Sequence, residues 1–216
     1  MLRPAVVLPM EDYPTSHVEI NQLRSLVGGA DVALVPRTGM YPTARCYANV
    51  EGRVAKFGGS SEVGWAIRWF PGVYIEAMHH AVWRMPNNTL LDVTEPQPGN
   101  SPKRGVTTFI PEEFQASMAR DPLLTQIFLL LVEDDDIRAA IECYRQNHRS
   151  RREMQAIQAR DPMYLAATHS PLVLTEPESS ITARLEALSS NLVDSYNRLH
   201  QHNETILSRY HQKNEG

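Results

Sequence analysis

Cysteine is scarce in this chain. The 216 residues contain two, Cys46 and Cys143, which excludes a disulfide framework and a four-thiolate zinc site. Long apolar runs are missing too. None approaches the roughly 20 residues that cross a bilayer as a helix, so no integral membrane segment is expected. Positive charge is not in excess: the net charge is -4. A general nucleic-acid binder needs clustered lysine and arginine to meet phosphates, so no nucleic-acid partner is expected. The first residues, Met1-Leu2-Arg3-Pro4-Ala5-Val6-Val7-Leu8-Pro9, have too short an apolar core for a secretory signal. The expectation is synthesis in the cytoplasm, with export by a signal-independent route left open.

What is present is an ordinary globular composition, 42% hydrophobic and 21% charged, enough for one large domain or a domain with a helical appendage. Residues 1–41 are broken by Pro and Gly. Val18 to Val27 reads as a short helix ending at Gly28, and Asp31 to Val35 as a short strand. Thr43 is a plausible N-cap for a helix in which Val50, Val54 and Phe57 recur at helical spacing, ended by Gly58-Gly59. Three strands follow, Glu62 to Phe70, Val73 to Met85 and Thr89 to Thr94, separated by Pro71-Gly72 and Pro86-Asn87-Asn88. A helix followed by an antiparallel meander is an α+β arrangement. Glu95 to Arg104 reads as a loop and a domain edge. From Pro111 on, the pattern reads as helical: a helix starting at Pro111, a buried apolar helix from Leu123 to Val132, and one near Ile137 to Asn147 after acidic Asp134-Asp135-Asp136. Met154 to Ala159 continues it. Asp161-Pro162 and Ser170-Pro171 are breaks. A final helix runs from about Ser179 to Tyr210. Ile181, Leu185, Leu188, Leu192, Leu199 and Ile206 give that helix a coiled-coil-like seam, for packing within the chain or for pairing two copies.

One constellation carries chemistry. Cys46 lies in the first turn of its helix, where unpaired amides and the helix dipole favour a thiolate. A histidine on a following strand can serve as its base, and Asp92 on the next strand can orient that imidazole. The amide of Cys46 itself could help hold an oxyanion. Neighbours on a strand face apart, so only one of His79 and His80 can share a face with Asp92. A two- or four-residue turn selects His79, and a three-residue turn selects His80. Asn49, one turn beyond Cys46, is a candidate supporting or substrate-binding residue, and His79 a second one.

Cys46, then His80-Ala81-Val82-Trp83, then Leu91-Asp92-Val93-Thr94 resemble the core of the papain-like superfamily, in particular its transglutaminase-like and NlpC-type peptidase branches. Transglutaminase-like domains often carry a His-Ala-Trp type of strand followed by a Leu-Asp-Pro-Thr type. The family spacing favours His80 as the base. The resemblance covers roughly 50 residues, and Tyr47 stands where transglutaminases usually have Trp. It implies a papain-like core, with a Cys-bearing helix packed on an antiparallel sheet, over residues 1–105, and leaves 106–216 as a helical region. It also implies a Cys46–His80–Asp92 site that attacks an amide and passes the acyl group to water or to an amine. No cofactor is needed. Peptide or protein substrates fit, including peptidoglycan stem peptides and a protein glutamine, and so does the role of a delivered effector or toxin.

Other readings use the same residues. His79 and His80 with Glu76 and Asp92 could bind a metal, although adjacent strand histidines face apart. The basic run from Arg145 to Arg152 reads as a solvated face. The competing class is a non-enzymatic interaction protein with the last helix as its docking or dimerisation element.

Overall fold

Breaks in the sequence become element boundaries in the computed structural model, which describes residues 6–28, 31–43, 45–96, 105–112, 126–158 and 178–210. A two-residue strand β1 (Glu11–Asp12) precedes helix α1 (Ile20–Val27), which stops at Gly28 in the left-handed conformation, φ 60°. Glycine adopts that conformation at no steric cost. Strand β2 (Ala33–Tyr41), helix α2 (Cys46–Phe57), and strands β3 (Ser60–Phe70), β4 (Tyr74–Arg84) and β5 (Leu90–Thr94) follow. Then come β6 (Gly105–Pro111) and β7 (Ile127–Leu130), and helices α3 (Asp135–Gln158) and α4 (Glu178–Tyr210).

The expected papain-like core is not formed. In place of an open antiparallel sheet with a helix on it, five strands close into a barrel. β3 pairs with β4 along its whole length, from Ser60–Arg84 to Phe70–Tyr74. β4 pairs with β5, β5 runs parallel to β2, β2 pairs with β6, and β6 returns to β3. β1 extends the sheet beside β3 and β7 extends it beside β4. The physical reason lies in β3 and β4. Each is eleven residues long and buried on both faces over most of its length. An open sheet with one helix layer would leave one of those faces wet. Closure covers the inner face, where Val35, Val82 and Phe109 meet across the barrel. The outer face is covered in two patches: Leu23 and Val27 of α1 pack with Trp65, Ile67, Ile75 and Ile110, and Val50 of α2 packs with Ala81, Trp83 and Val93. Each fully buried aliphatic side chain contributes about 1.5–3 kcal/mol.

The chain divides into two compact units, Val7–Glu133 and Met1–Val6 with Asp134–Gly216. The sequence pattern puts the edge at residue 105 and everything beyond it in helices. Instead β6 and β7 belong to the barrel unit. Pro111 ends a strand and does not start a helix, and the apolar run expected as a helix from Leu123 contains β7. Residues 113–125, most of the loop before β6, and the breaks at Asp161-Pro162 and Ser170-Pro171 lie outside the described residues.

In the helical unit α4 packs along α3, with Leu188, Ser195 and Ile206 buried on one side and Ile137, Ala140, Ile141 and Cys143 on the other. The apolar seam of the last helix therefore has a partner within the chain. Asp134 staples the pair. Its Oδ1 accepts the amides of Asp136 and Ile137, capping α3, and its Oδ2 accepts from Tyr210 at 2.7 Å and from Arg209. Burial raises the Asp134 pKa, and the hydrogen bonds from Tyr210, Arg209 and the two amides outweigh it, leaving the carboxyl at about 2. Among the described residues no helix is long and apolar enough to cross a membrane.

Candidate active site

Helix α2 begins at Cys46 itself. Its N-cap is Arg45, which makes no side-chain capping bond, so the Thr43 cap expected from sequence is not formed. The helix is held by contacts further along. Asn49 is buried and donates its amide to the Pro42 carbonyl at 2.9 Å and to Thr94 Oγ1 at 3.0 Å. At the other end, Trp83 Nε1 donates to the Gly58 carbonyl at 2.9 Å. These bonds fix α2 against β4 and β5, with its first turn beside the point where those strands part. The β4–β5 ladder pairs Arg84 with Leu90 and Trp83 with Leu91. Beyond it, the backbone amides of Ala81 and of Tyr47, in the helix's first turn, act to lower the Cys46 pKa.

The turn decides which histidine faces Asp92. Residues 85–89 separate Arg84 from Leu90, an odd number, as in the three-residue case. Trp83 opposite Leu91 puts His80, Val82 and Asp92 on the same, inner face. His80 Nε2 stands 3.0 Å from Asp92 Oδ2. Cys46 acts on the same imidazole and, after Asp92, helps hold its proton.

Asp92 is itself held. Its Oδ1 accepts the Thr94 amide at 3.0 Å, and its Oδ2 accepts the Thr107 hydroxyl at 2.6 Å. Thr107 has one proton to give. It gives it to Asp92 and accepts from Arg37 Nη1 at 3.2 Å. Arg37 in turn forms two bonds to Asp12, at 2.9 and 2.8 Å. A line of polar groups thus runs from Asp12 through Arg37, Thr107, Asp92 and His80 to Cys46.

Electrostatics follow from that line. Burial pushes the Cys46 thiol up, but the His80 hydrogen bond, the His80 charge and the Ala81 and Tyr47 amides together bring it below the ordinary value of 9.0. Burial pushes His80 down, and the Asp92 charge, the Asp92 hydrogen bond and the Cys46 interaction outweigh it, raising the imidazole to about 10. Burial raises Asp92, while His80, Thr107 and the Thr94 amide lower it below the ordinary carboxylate value. All three directions favour a thiolate beside an imidazolium beside a carboxylate. Cys143 lies in α3, with its thiol raised by burial, and neither cysteine is in a disulfide.

The remaining sequence candidates fall elsewhere. His79 points to the outer face, away from Asp92. Asn49 has its amide nitrogen engaged with backbone and Thr94, which is an anchoring position. Arg37, Asp12 and Thr107 are not evident as site residues from sequence. A signal for Thr107 exists: Gly105-Val-Thr-Thr-Phe-Ile-Pro111 is a β-rich run bounded by Gly and Pro. Replacing Thr107 by Val keeps the shape and removes the donor to Asp92. The alkylation rate of Cys46 at neutral pH is then expected to fall about threefold to tenfold, consistent with the loss of one charge-assisted hydrogen bond two groups away, while Thr107→Ser keeps the parent rate. Iodoacetamide kinetics on both variants check this; an unchanged rate in the Val variant would remove Thr107 from the line.

The chain matches no protein-family model, no curated protein and no solved structure.

Proposed function

We propose that this chain is a cysteine-dependent amide hydrolase or acyltransferase. The observation that carries the reading is the buried His80–Asp92 hydrogen bond at 3.0 Å, with the same imidazole lowering the Cys46 thiol. The Cys46 thiolate attacks the amide carbonyl, and a C–S bond forms as the carbonyl oxygen becomes an oxyanion. First-turn amides of α2 can donate to it. As the C–N bond breaks, imidazolium His80 gives its proton to the leaving nitrogen, and Asp92 keeps the ring oriented. Water or an amine then attacks the thioester, His80 takes its proton, and the C–S bond breaks to restore the thiolate. Neither step calls for a cofactor. The substrate class is a peptide or protein amide, either a main-chain bond or a side-chain carboxamide.

The pH dependence of turnover follows from the two pKa directions. Activity rises as Cys46 loses its proton, below the ordinary thiol value of 9.0. It falls as His80 loses its proton near 10, because a neutral imidazole has no proton for the leaving group. The test is mass spectrometry of a mixed peptide pool incubated with the protein, with and without a primary amine, against Cys46→Ala. The expected result is Cys46-dependent cleavage, conversion of a carboxamide to a carboxylate, or amine incorporation. A pool left identical by parent and variant across neutral pH would contradict the reading.

A further inference from the structure

Beside the Cys46 line stands a second pairing of helix and strand. Tyr47 follows Cys46 on α2, and His79 precedes His80 on β4. The Tyr47 hydroxyl is hydrogen-bonded to His79 Nδ1, and the two rings stack, 5.9 Å between centroids at 26°. His79 Nε2 lies 3.5 Å from Glu112 Oε2. The Glu112 amide donates to the Val63 carbonyl at 3.1 Å, tying the end of β6 to β3. Trp65 packs edge-on against His79, centroids 5.0 Å apart, and His79 is buried, 8% exposed. A carboxylate at Nε2 favours the proton on that nitrogen, so Nδ1 accepts from the Tyr47 hydroxyl. Two adjacent residues of the helix are therefore tied to two adjacent residues of the strand, one tie on each face.

This matters because α2 has no side-chain cap at its start. Asn49 ties its second turn, but the first turn carries the sulfur. Cys46 and Tyr47 share one peptide unit, as do His79 and His80, so fixing the Tyr47–His79 contact fixes the approach of sulfur to imidazole on the other face. A phenol stacked on and hydrogen-bonded to a buried imidazole is a rigid tie, because both rings have few rotatable bonds to order.

We propose that Tyr47, His79 and Glu112 are positioning residues that hold the first turn of α2, and with it the Cys46 sulfur, in register with His80. The inference rests on the proposed Cys46–His80 pair.

The experiment is the pH profile of Cys46 alkylation by iodoacetamide in full-length parent, Tyr47→Phe, His79→Asn, His79→Leu and His80→Ala, with thermal unfolding of each. Tyr47→Phe keeps the stacked ring and loses only the hydroxyl. Its rate at pH 7 is expected to fall about tenfold, with the midpoint of the profile moved toward that of a free thiol. His79→Asn retains an acceptor where Nδ1 stood and is expected to stay close to the parent; His79→Leu is expected to match Tyr47→Phe. A merely structural tie would lower the unfolding temperature without moving the midpoint, and that result would overturn the proposal. So would a Tyr47→Phe profile identical to the parent's while His80→Ala remains slow, an outcome that spares the Cys46–His80 pair. A parent Cys46 that is slow and unaffected by His80→Ala would instead sink the pair itself, and this inference with it.

Discussion

His80→Ala is expected to slow alkylation of Cys46 at pH 7 by roughly tenfold to a hundredfold. In the parent the thiol is below its ordinary value although burial opposes this, and the hydrogen bond and charge of His80 do most to bring it down. Remove the imidazole and burial is opposed only by two amide donors, from Ala81 and Tyr47. A thiol near its ordinary pKa is only about 1–10% thiolate at neutral pH. The lost thiolate fraction is partly offset, because a more basic thiolate is the better nucleophile; hence the range. Turnover should suffer more than alkylation, by about 10³-fold or greater, since the leaving nitrogen also loses its proton donor. Stopped-flow alkylation with mass-spectrometric site assignment checks the first figure. A His80→Ala protein whose Cys46 reacts at the parent rate would show that the sulfur owes nothing to the imidazole.

Gly64→Val is expected to cost about 3 kcal/mol or more, a large share of the roughly 5–15 kcal/mol that holds a typical domain together. Gly64 sits on β3 opposite His80 on one side and Pro111 on the other. A Cβ there would lie 2.3 Å from the Ile110 carbonyl oxygen and 2.7 Å from the Phe109 ring. The nearer obstacle is backbone, which cannot rotate aside, so β6 would have to draw away from β3 at the seam that closes the barrel. Thr107 lies on that same strand, so the variant should lose Cys46 reactivity along with stability. Urea unfolding of the parent and the variant measures the cost. An unchanged midpoint would mean that β3 and β6 do not approach as closely as the closed barrel requires.

The local parts of this molecule are legible in its sequence, and the long-range parts are not. Gly28, Gly58 and the Pro71-Gly72 turn mark boundaries because few residues suit such turns, and the hairpin of β3 and β4 follows from them. The odd-length turn after Arg84 puts His80 on the Asp92 face, a consequence of strand periodicity alone. Barrel closure depends on β2 meeting β5 and β6, partners roughly 50 to 75 residues away, and no local pattern announces such pairings. Pro36 and Gly39 lie inside β2 but read as breaks, so the strand expected from sequence stops at Val35. The run Ile127-Phe-Leu-Leu130 is too short for its periodicity to separate strand from helix, and its apolar neighbours make it read as helix. Arg37 and Thr107 are inconspicuous because their strands are: a polar residue has a meaning in a sequence only once its face is known. The resemblance to a papain-like core rests on the order of Cys46, His80 and Asp92, and that order is compatible with a closed barrel as well as with an open sheet.

The most direct test of the central claim is the rate of iodoacetamide alkylation of Cys46 against pH in the unaltered protein, with Cys143 as an internal reference. The two thiols are pushed in opposite directions, Cys46 below its ordinary value and Cys143 above it. The prediction is a Cys46 profile that rises and levels off below pH 9.0, with Cys143 reacting far more slowly throughout the neutral range. A Cys46 that reacts no faster than Cys143, its rate still climbing above pH 9.0, would contradict the thiolate–imidazolium pair and the enzyme built on it.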